Sequence, residues 1–174
     1  MDVERIGAHG SWWRQIPGGG DVHYEPDEPA DGRWQQGDVV EALYFADSEE
    51  TAWAEWYRYL SEAMLPPHHA LPRDLWEWRI DVGEIADLSD TRKLEDAGLP
   101  PPRPGRLQWP AYQLVGMRLW REGCRGILSP SAARPTQGLV LCVFRTQRVE
   151  EGTEPIPPPR HYPVPPLVPP GLRT

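Results

Sequence analysis

Residues 41–64 constrain this chain most, because they read as a strand that turns directly into a helix. Glu41–Ala46 (Glu-Ala-Leu-Tyr-Phe-Ala) alternates well enough for a short, half-buried strand. Asp47 or Ser48 then offers an N-cap, and Glu49 and Glu50 complement the dipole of a helix running from about Glu49 to about Met64. Pro66 and Pro67 end it.

On that helix Ala52, Trp56, Leu60 and Ala63 recur at three- and four-residue steps and predict the buried stripe. Glu55 borders the stripe, while Glu49, Glu50, Arg58 and Glu62 fall on the solvent face. A carboxylate at that border must be paired, hydrated or used. The plainest explanation is a salt bridge to Arg58 or Arg33, yet the company Glu55 keeps argues for use. Eleven residues separate Arg33 from Tyr44, and eleven more separate Tyr44 from Glu55. Asp31-Gly32-Arg33-Trp34 reads as a turn leading into an extended segment, and Ser131 lies in a turn far downstream. A cation, an aromatic hydroxyl and a carboxylate around one strand-to-helix corner suit a dinucleotide better than a core. Taken singly, Tyr44 fits a core position, Ser131 a turn stabiliser and Arg33 a solvated loop cation.

Elsewhere, Trp76–Val82 alternates as a half-exposed strand with Trp76 and Trp78 turned to the core. Gly126–Ser129 reads as a strand entering the turn from Pro130 to Arg134, and Gly138–Arg145 as a central strand. A second helix is predicted from Pro110 to about Glu122, stopped by Gly123, with a stripe of Ala111, Leu114 or Val115, and Leu119. Asp87–Gly105 reads as a long loop. Residues 151–174 hold so many prolines that an irregular, polyproline-like tail outside the folded domain is expected, leaving residues 1–150 as one domain.

These segments resemble the RES-domain family, named for its Arg, Glu and Ser residues. Gly32-Arg33-Trp34 looks like the family's Gly-Arg-aromatic motif, and Leu43–Ser48 through Thr51–Glu55 like its strand-helix block. Gly126-Ile127-Leu128 with Pro130-Ser131 and Arg134 looks like the late Gly-x-x-x-x-Ser segment, and Arg14 after Trp12-Trp13 like the early arginine. Gln35 stands where the family commonly has Asn, and Ser129-Pro130-Ser131 leaves two serine candidates. The resemblance implies a single-domain α+β fold, an ADP-ribosyltransferase-like mixed or antiparallel sheet with flanking helices. It also implies an activity that degrades NAD+, in a toxin paired with an Xre-like antitoxin.

The residue types make chemical sense for that activity. The nicotinamide of NAD+ is already a cationic leaving group, so the site must chiefly stabilise an oxocarbenium-like ribose, and Glu55 as an anion suits that part. Arginine donates paired hydrogen bonds to a diphosphate, which makes Arg33 and Arg14 the leading ligands, with Arg134 behind them. Tyr44 would stack on nicotinamide or donate from its hydroxyl, Trp34 would supply an apolar wall, and Ser129 or Ser131 would bond the ribose, a phosphate or an acceptor. Ser131 is not assigned as a nucleophile. NAD+ enters as substrate, phosphate as a possible co-substrate, and no cofactor is implied. The open alternatives are transfer of ADP-ribose to a macromolecule and a catalytically silent interaction module using the Pro-rich tail.

Composition narrows the field further. The formal charge is −8 and no basic run appears, so nucleic acid is not an expected partner and an anionic substrate must be met by local arginines. Lys93 is the sole lysine, which supports neither a Schiff base nor a P-loop, and there is no Gly-x-Ser-x-Gly elbow. Cys124 and Cys142 lack metal or redox spacing, and the five histidines are scattered, so no metal is predicted. A cytoplasmic protein with no signal peptide and no membrane span is expected.

Overall fold

A computed structural model of the chain describes residues 2–24, 30–145 and 151–174. Among the described residues, six strands and three helices follow in the order β1 (Arg5–Pro17), β2 (Glu41–Ala46), α1 (Glu49–Glu62), β3 (Arg73–Asp87), α2 (Thr91–Asp96), α3 (Trp109–Arg121), β4 (Gly126–Pro130), β5 (Leu139–Arg145) and β6 (Thr153–Tyr162), with a 3₁₀ turn at Pro67–Ala70. The fold is mixed α+β, as the sequence led us to expect.

The strands form one sheet in the order β1-β2-β5-β4-β3-β6, and β1 pairs with β3 as well. The single bridge Trp13–Ala46 joins β1 to β2, whereas β1 and β3 pair along almost their whole length. The strands therefore curve round on themselves, and the period of two sorts their side chains. Leu43 and Phe45 of β2 join Trp78, Ile80, Leu141 and Val143 on one face. Ala42, Cys142 and Phe144 face the other way, against Tyr112, Met117 and Leu119 of α3. Burial on both faces explains why β5 reads as an unbroken apolar run.

Glu41–Ala46 is a strand to the residue, and Ser48 caps α1 by accepting the Thr51 N–H at 3.2 Å. The buried face of α1 includes Ala52, Trp56 and Leu60 but adds Thr51, Trp53 and Ala54, while Ala63 is exposed. On α3 the expected stripe is wrong in part. Ala111 and Leu114 face solvent, and the helix buries Tyr112, Gly116, Met117 and Leu119. Gly116 is required there, because a methyl group added to it would lie 1.9 Å from the Trp34 carbonyl oxygen. That close approach fixes the Arg33 loop on α3.

One strand was missed and three expectations are corrected. β1 was not anticipated, because two glycines and a bulge between Ile6 and Ala8 blur its alternation. The stretch after Arg33 is a turn and not an extended segment. Within 87–105 lies α2, capped by Asp90 accepting from Lys93 N–H at 2.9 Å. The Pro-rich segment 151–174 is not an irregular tail outside the domain: Thr153–Tyr162 is an edge strand paired with Arg73–Ile80. Proline cannot donate to a ladder, but an edge strand needs only one hydrogen-bonding side. Beyond β6 the chain runs back over α1, where Pro166 O accepts from the Tyr57 hydroxyl at 2.5 Å and the Arg173 N–H donates to Ala133 O at 2.8 Å. No helix among the described residues is long and apolar enough to cross a membrane.

Candidate functional site

A cavity of about 450 Å³ opens between α1, lined from Ala52 to Leu60, the end of β2, the turn at 31–35 and the β1–β3 ribbon. Glu55, Arg33, Tyr44, Trp34, Ser129 and Arg14 all line it, so six of the eight residues singled out from the sequence meet in one place. Ser131 and Arg134 do not line it.

Glu55 projects from α1, its side chain only about a quarter exposed. Oε1 accepts from the Ser131 hydroxyl at 2.6 Å and the Ala133 N–H at 3.3 Å, and Oε2 accepts from Arg58 Nε at 2.8 Å. Burial by itself raises the carboxyl pKa, but the Arg58 charge and these hydrogen bonds outweigh it and hold the group below the usual glutamate value. Glu55 is an anion at neutral pH.

Ser131 stands behind that carboxylate. It is fully buried, donates its only hydroxyl proton to Glu55 and accepts from the N–H groups of Ala133 and Arg134 at 3.1 and 3.0 Å. Of the two serine candidates, it is Ser129 that reaches the wall, where its Oγ accepts from Trp34 Nε1 at 3.2 Å. Arg134 spends its guanidinium on Thr51, Gln137 and the Pro170 carbonyl, so it braces the turn and offers nothing to the cavity.

The Arg33 turn is held from several sides. Tyr44 donates to Gln35 Oε1 and accepts from the Trp34 N–H at 3.1 Å, so its hydroxyl is committed to the turn, and burial pushes its pKa well up. Gly32 precedes Arg33 because any Cβ there would sit 2.3 Å from both Gln35 Oε1 and the Tyr44 hydroxyl. Gln35, the departure from the motif, thus locks the turn internally. Arg33 donates to Arg103 O at 2.7 Å and lies over the Tyr112 ring at 5.1 Å, while its buried Nη1 has no hydrogen-bond partner among the described residues. Burial and the nearby Arg58 lower its pKa.

The Glu55–Arg58 salt bridge weighed from the sequence is present, but sequence reasoning missed two arginines as lining residues. Arg58, expected on the solvent face, is 15% exposed and bonds both Glu55 and Glu62. Its position three residues after Glu55 was the available signal. Arg73, at the start of β3, lines the far wall beside Arg14, and only the β1–β3 pairing brings it there. Four guanidiniums, those of Arg14, Arg33, Arg58 and Arg73, thus surround one cavity of an acidic protein. No group of metal-holding side chains occurs among the described residues.

The RES domain family model matches residues 2–165. The chain belongs to the RES domain family. That match runs past residue 150 and takes in β6, consistent with the strand pairing. Among solved structures, the crystal structure of the M. tuberculosis MbcT–MbcA toxin–antitoxin complex contains a chain similar to this one, with a TM-score of 0.74 and 23% identity over 88% of this chain and 84% of that one. The likeness is one of fold. No curated protein matches the chain. In this RES domain Arg33 and Glu55 lie on the cavity wall, and Ser131 supports Glu55 from behind.

Proposed function

We propose that this RES domain cleaves NAD+ at the nicotinamide–ribose bond and passes the ADP-ribosyl group to phosphate or water. The observation that carries this reading is an ionised Glu55, fixed by Ser131, Ala133 and Arg58 on the wall of a cavity otherwise dominated by arginines and aromatics. In the reaction the C1–N bond breaks with its electron pair going to the nicotinamide nitrogen, which becomes neutral. Positive charge grows on the ribose, and a preorganised carboxylate beside it stabilises that charge without reorganising. The acceptor oxygen then bonds to C1, and water, where it is the acceptor, releases one proton to the solvent. No general acid is needed.

The arginines supply the other half. The uncommitted Nη1 of Arg33 is a donor facing a desolvated environment, the setting in which a diphosphate oxygen is held most strongly. Trp34, Tyr44 and Trp109 give flat apolar walls for a ring. The cavity volume falls in the range typical of small-molecule sites. Depletion of NAD+ stops growth, so the protein acts as a toxin, and an Xre-like antitoxin that fills this cavity neutralises it.

The test is release of free nicotinamide from NAD+ by purified protein, with and without phosphate, beside Glu55→Gln. Release dependent on Glu55, yielding ADP-ribose 1-phosphate or ADP-ribose, is the expected result. No release above the Glu55→Gln level overturns the proposal, and label left on a macromolecule redirects it to ADP-ribosyl transfer.

A further inference from the structure

The four arginines of the cavity are not equivalent in charge balance. Arg58 is answered by two glutamates. Arg73 is answered by none: its Nε and Nη2 both donate to the neutral Gln15 Oε1, the former at 2.8 Å, and among the described residues it makes no ion pair. The nearest sequence carboxylate, Asp74, is turned to the opposite face, because successive strand residues alternate. There Asp74 accepts from the Gly19 N–H at 2.7 Å and pairs with His161 Nδ1 at 2.7 Å.

Burial lowers the Arg73 pKa to about 10, and the like charge of Arg14 adds to that effect against the favourable Tyr24, Tyr59 and Asp74. Arg14 lies on the same wall and donates to the Tyr24 carbonyl oxygen. Arg73, a largely desolvated guanidinium fixed by an amide, has no carboxylate paired to it among the described residues, and an incoming anion would supply that charge. Nη1 of Arg73 makes no hydrogen bond among the described residues, so the fork has an edge to give.

We propose that Arg73, oriented by Gln15 and flanked by Arg14, forms a phosphate-binding subsite on the wall made by the β1–β3 ribbon, separate from the Arg33 end of the cavity. Phosphate oxygens match the guanidinium fork in geometry and charge, whereas a carboxylate-bearing metabolite would supply half the charge of a diphosphate. The source of that phosphate rests on the NAD+ reading: it is the diphosphate of the dinucleotide or the inorganic phosphate that accepts the ADP-ribosyl group. Occupation by either supplies Arg73 with a counter-charge.

The experiment measures binding and turnover on the full chain for wild type, Arg73→Gln and Arg73→Lys. Calorimetric titration uses ADP-ribose, pyrophosphate, inorganic phosphate and, as the phosphate-free probe, nicotinamide riboside. Arg73→Gln is expected to weaken binding of the phosphate-bearing probes by about ten- to a hundredfold and to leave nicotinamide riboside unchanged, with Arg73→Lys between. A matching rise in KM for NAD+ assigns the subsite to the diphosphate, and a rise in the phosphate KM alone assigns it to the acceptor. Binding within twofold of wild type for every phosphate probe in both variants overturns the proposal, as does an equal loss for nicotinamide riboside. The binding arms need no catalysis, so a protein that releases no nicotinamide sinks the cleavage reading while the subsite is still decided.

Discussion

The two walls of the cavity are built on opposite plans. Around Glu55 the protein itself supplies every partner: a hydroxyl, a backbone N–H and a guanidinium converge on one carboxylate. Elsewhere on the lining, Arg33 and Arg73 are partly desolvated and answered by neutral oxygens, and Arg33 keeps a buried N–H without a hydrogen-bond partner among the described residues. The group we propose to act in bond cleavage is saturated, and the groups we propose to hold a ligand are left unsaturated. The fold gives up some stability on the arginine side, because buried unpartnered donors are costly, and a bound anion would recover it.

The sharpest way to break this contrast is Glu55→Gln, which keeps shape and removes charge. Nicotinamide release should fall by about 10²–10³-fold while NAD+ binding stays near wild type. A variant retaining more than a tenth of the activity would remove Glu55 from the reaction. Arg33→Gln comes next and should act through binding, raising KM for NAD+ by about ten- to a hundredfold with a smaller change in kcat. A fall in kcat at constant KM would place Arg33 on the Glu55 side of the comparison.

Ser131→Ala sharpens the distinction between support and chemistry. Losing one hydrogen bond to a charged group should lower kcat by about tenfold, not to the background expected for a lost nucleophile. The same substitution should move the acid limb of the rate profile. Glu55 has a folded pKa depressed below its ordinary value, so the carboxylate and the stability tied to it are present above the unfolded pKa and are lost as pH falls through the folded one. Without the Ser131 hydroxyl that limb should shift upward, and an unmoved limb would mean that the bond at 2.6 Å does not tune Glu55. The smallest expected effect on activity belongs to Arg134→Gln, which loosens the turn carrying Ser131 and Ala133. It should lower the melting temperature by several degrees, consistent with about 1–3 kcal/mol for a buried hydrogen-bonded group, and change KM little.

Some of this was legible along the chain. Glu41–Ala46 and the capped helix after it carry their signals within a few residues, and Arg33, Tyr44 and Glu55 lie on or beside that unit. The Ser131 turn was also visible, though its role was not, since a hydroxyl donating into a carboxylate and one facing substrate look alike in sequence. Arg58 was misread because a stripe predicts which side of a helix meets protein, not where a cavity cuts into it. Arg73 gave no signal at all, as its partner Gln15 lies 58 residues away. The Pro-rich segment misled for a related reason: proline content describes what a strand cannot donate, and says nothing of the β3 edge that makes such a strand useful.

Local periodicity, caps and turn residues determined the elements and the family pattern, because those forces act between neighbours in the chain. Which guanidiniums share a cavity, which of them lack a counter-charge and which serine stands behind the carboxylate were decided only by tertiary structure. Charge balance and desolvation depend on distances through space, and strand pairing brings together residues that sequence order keeps apart.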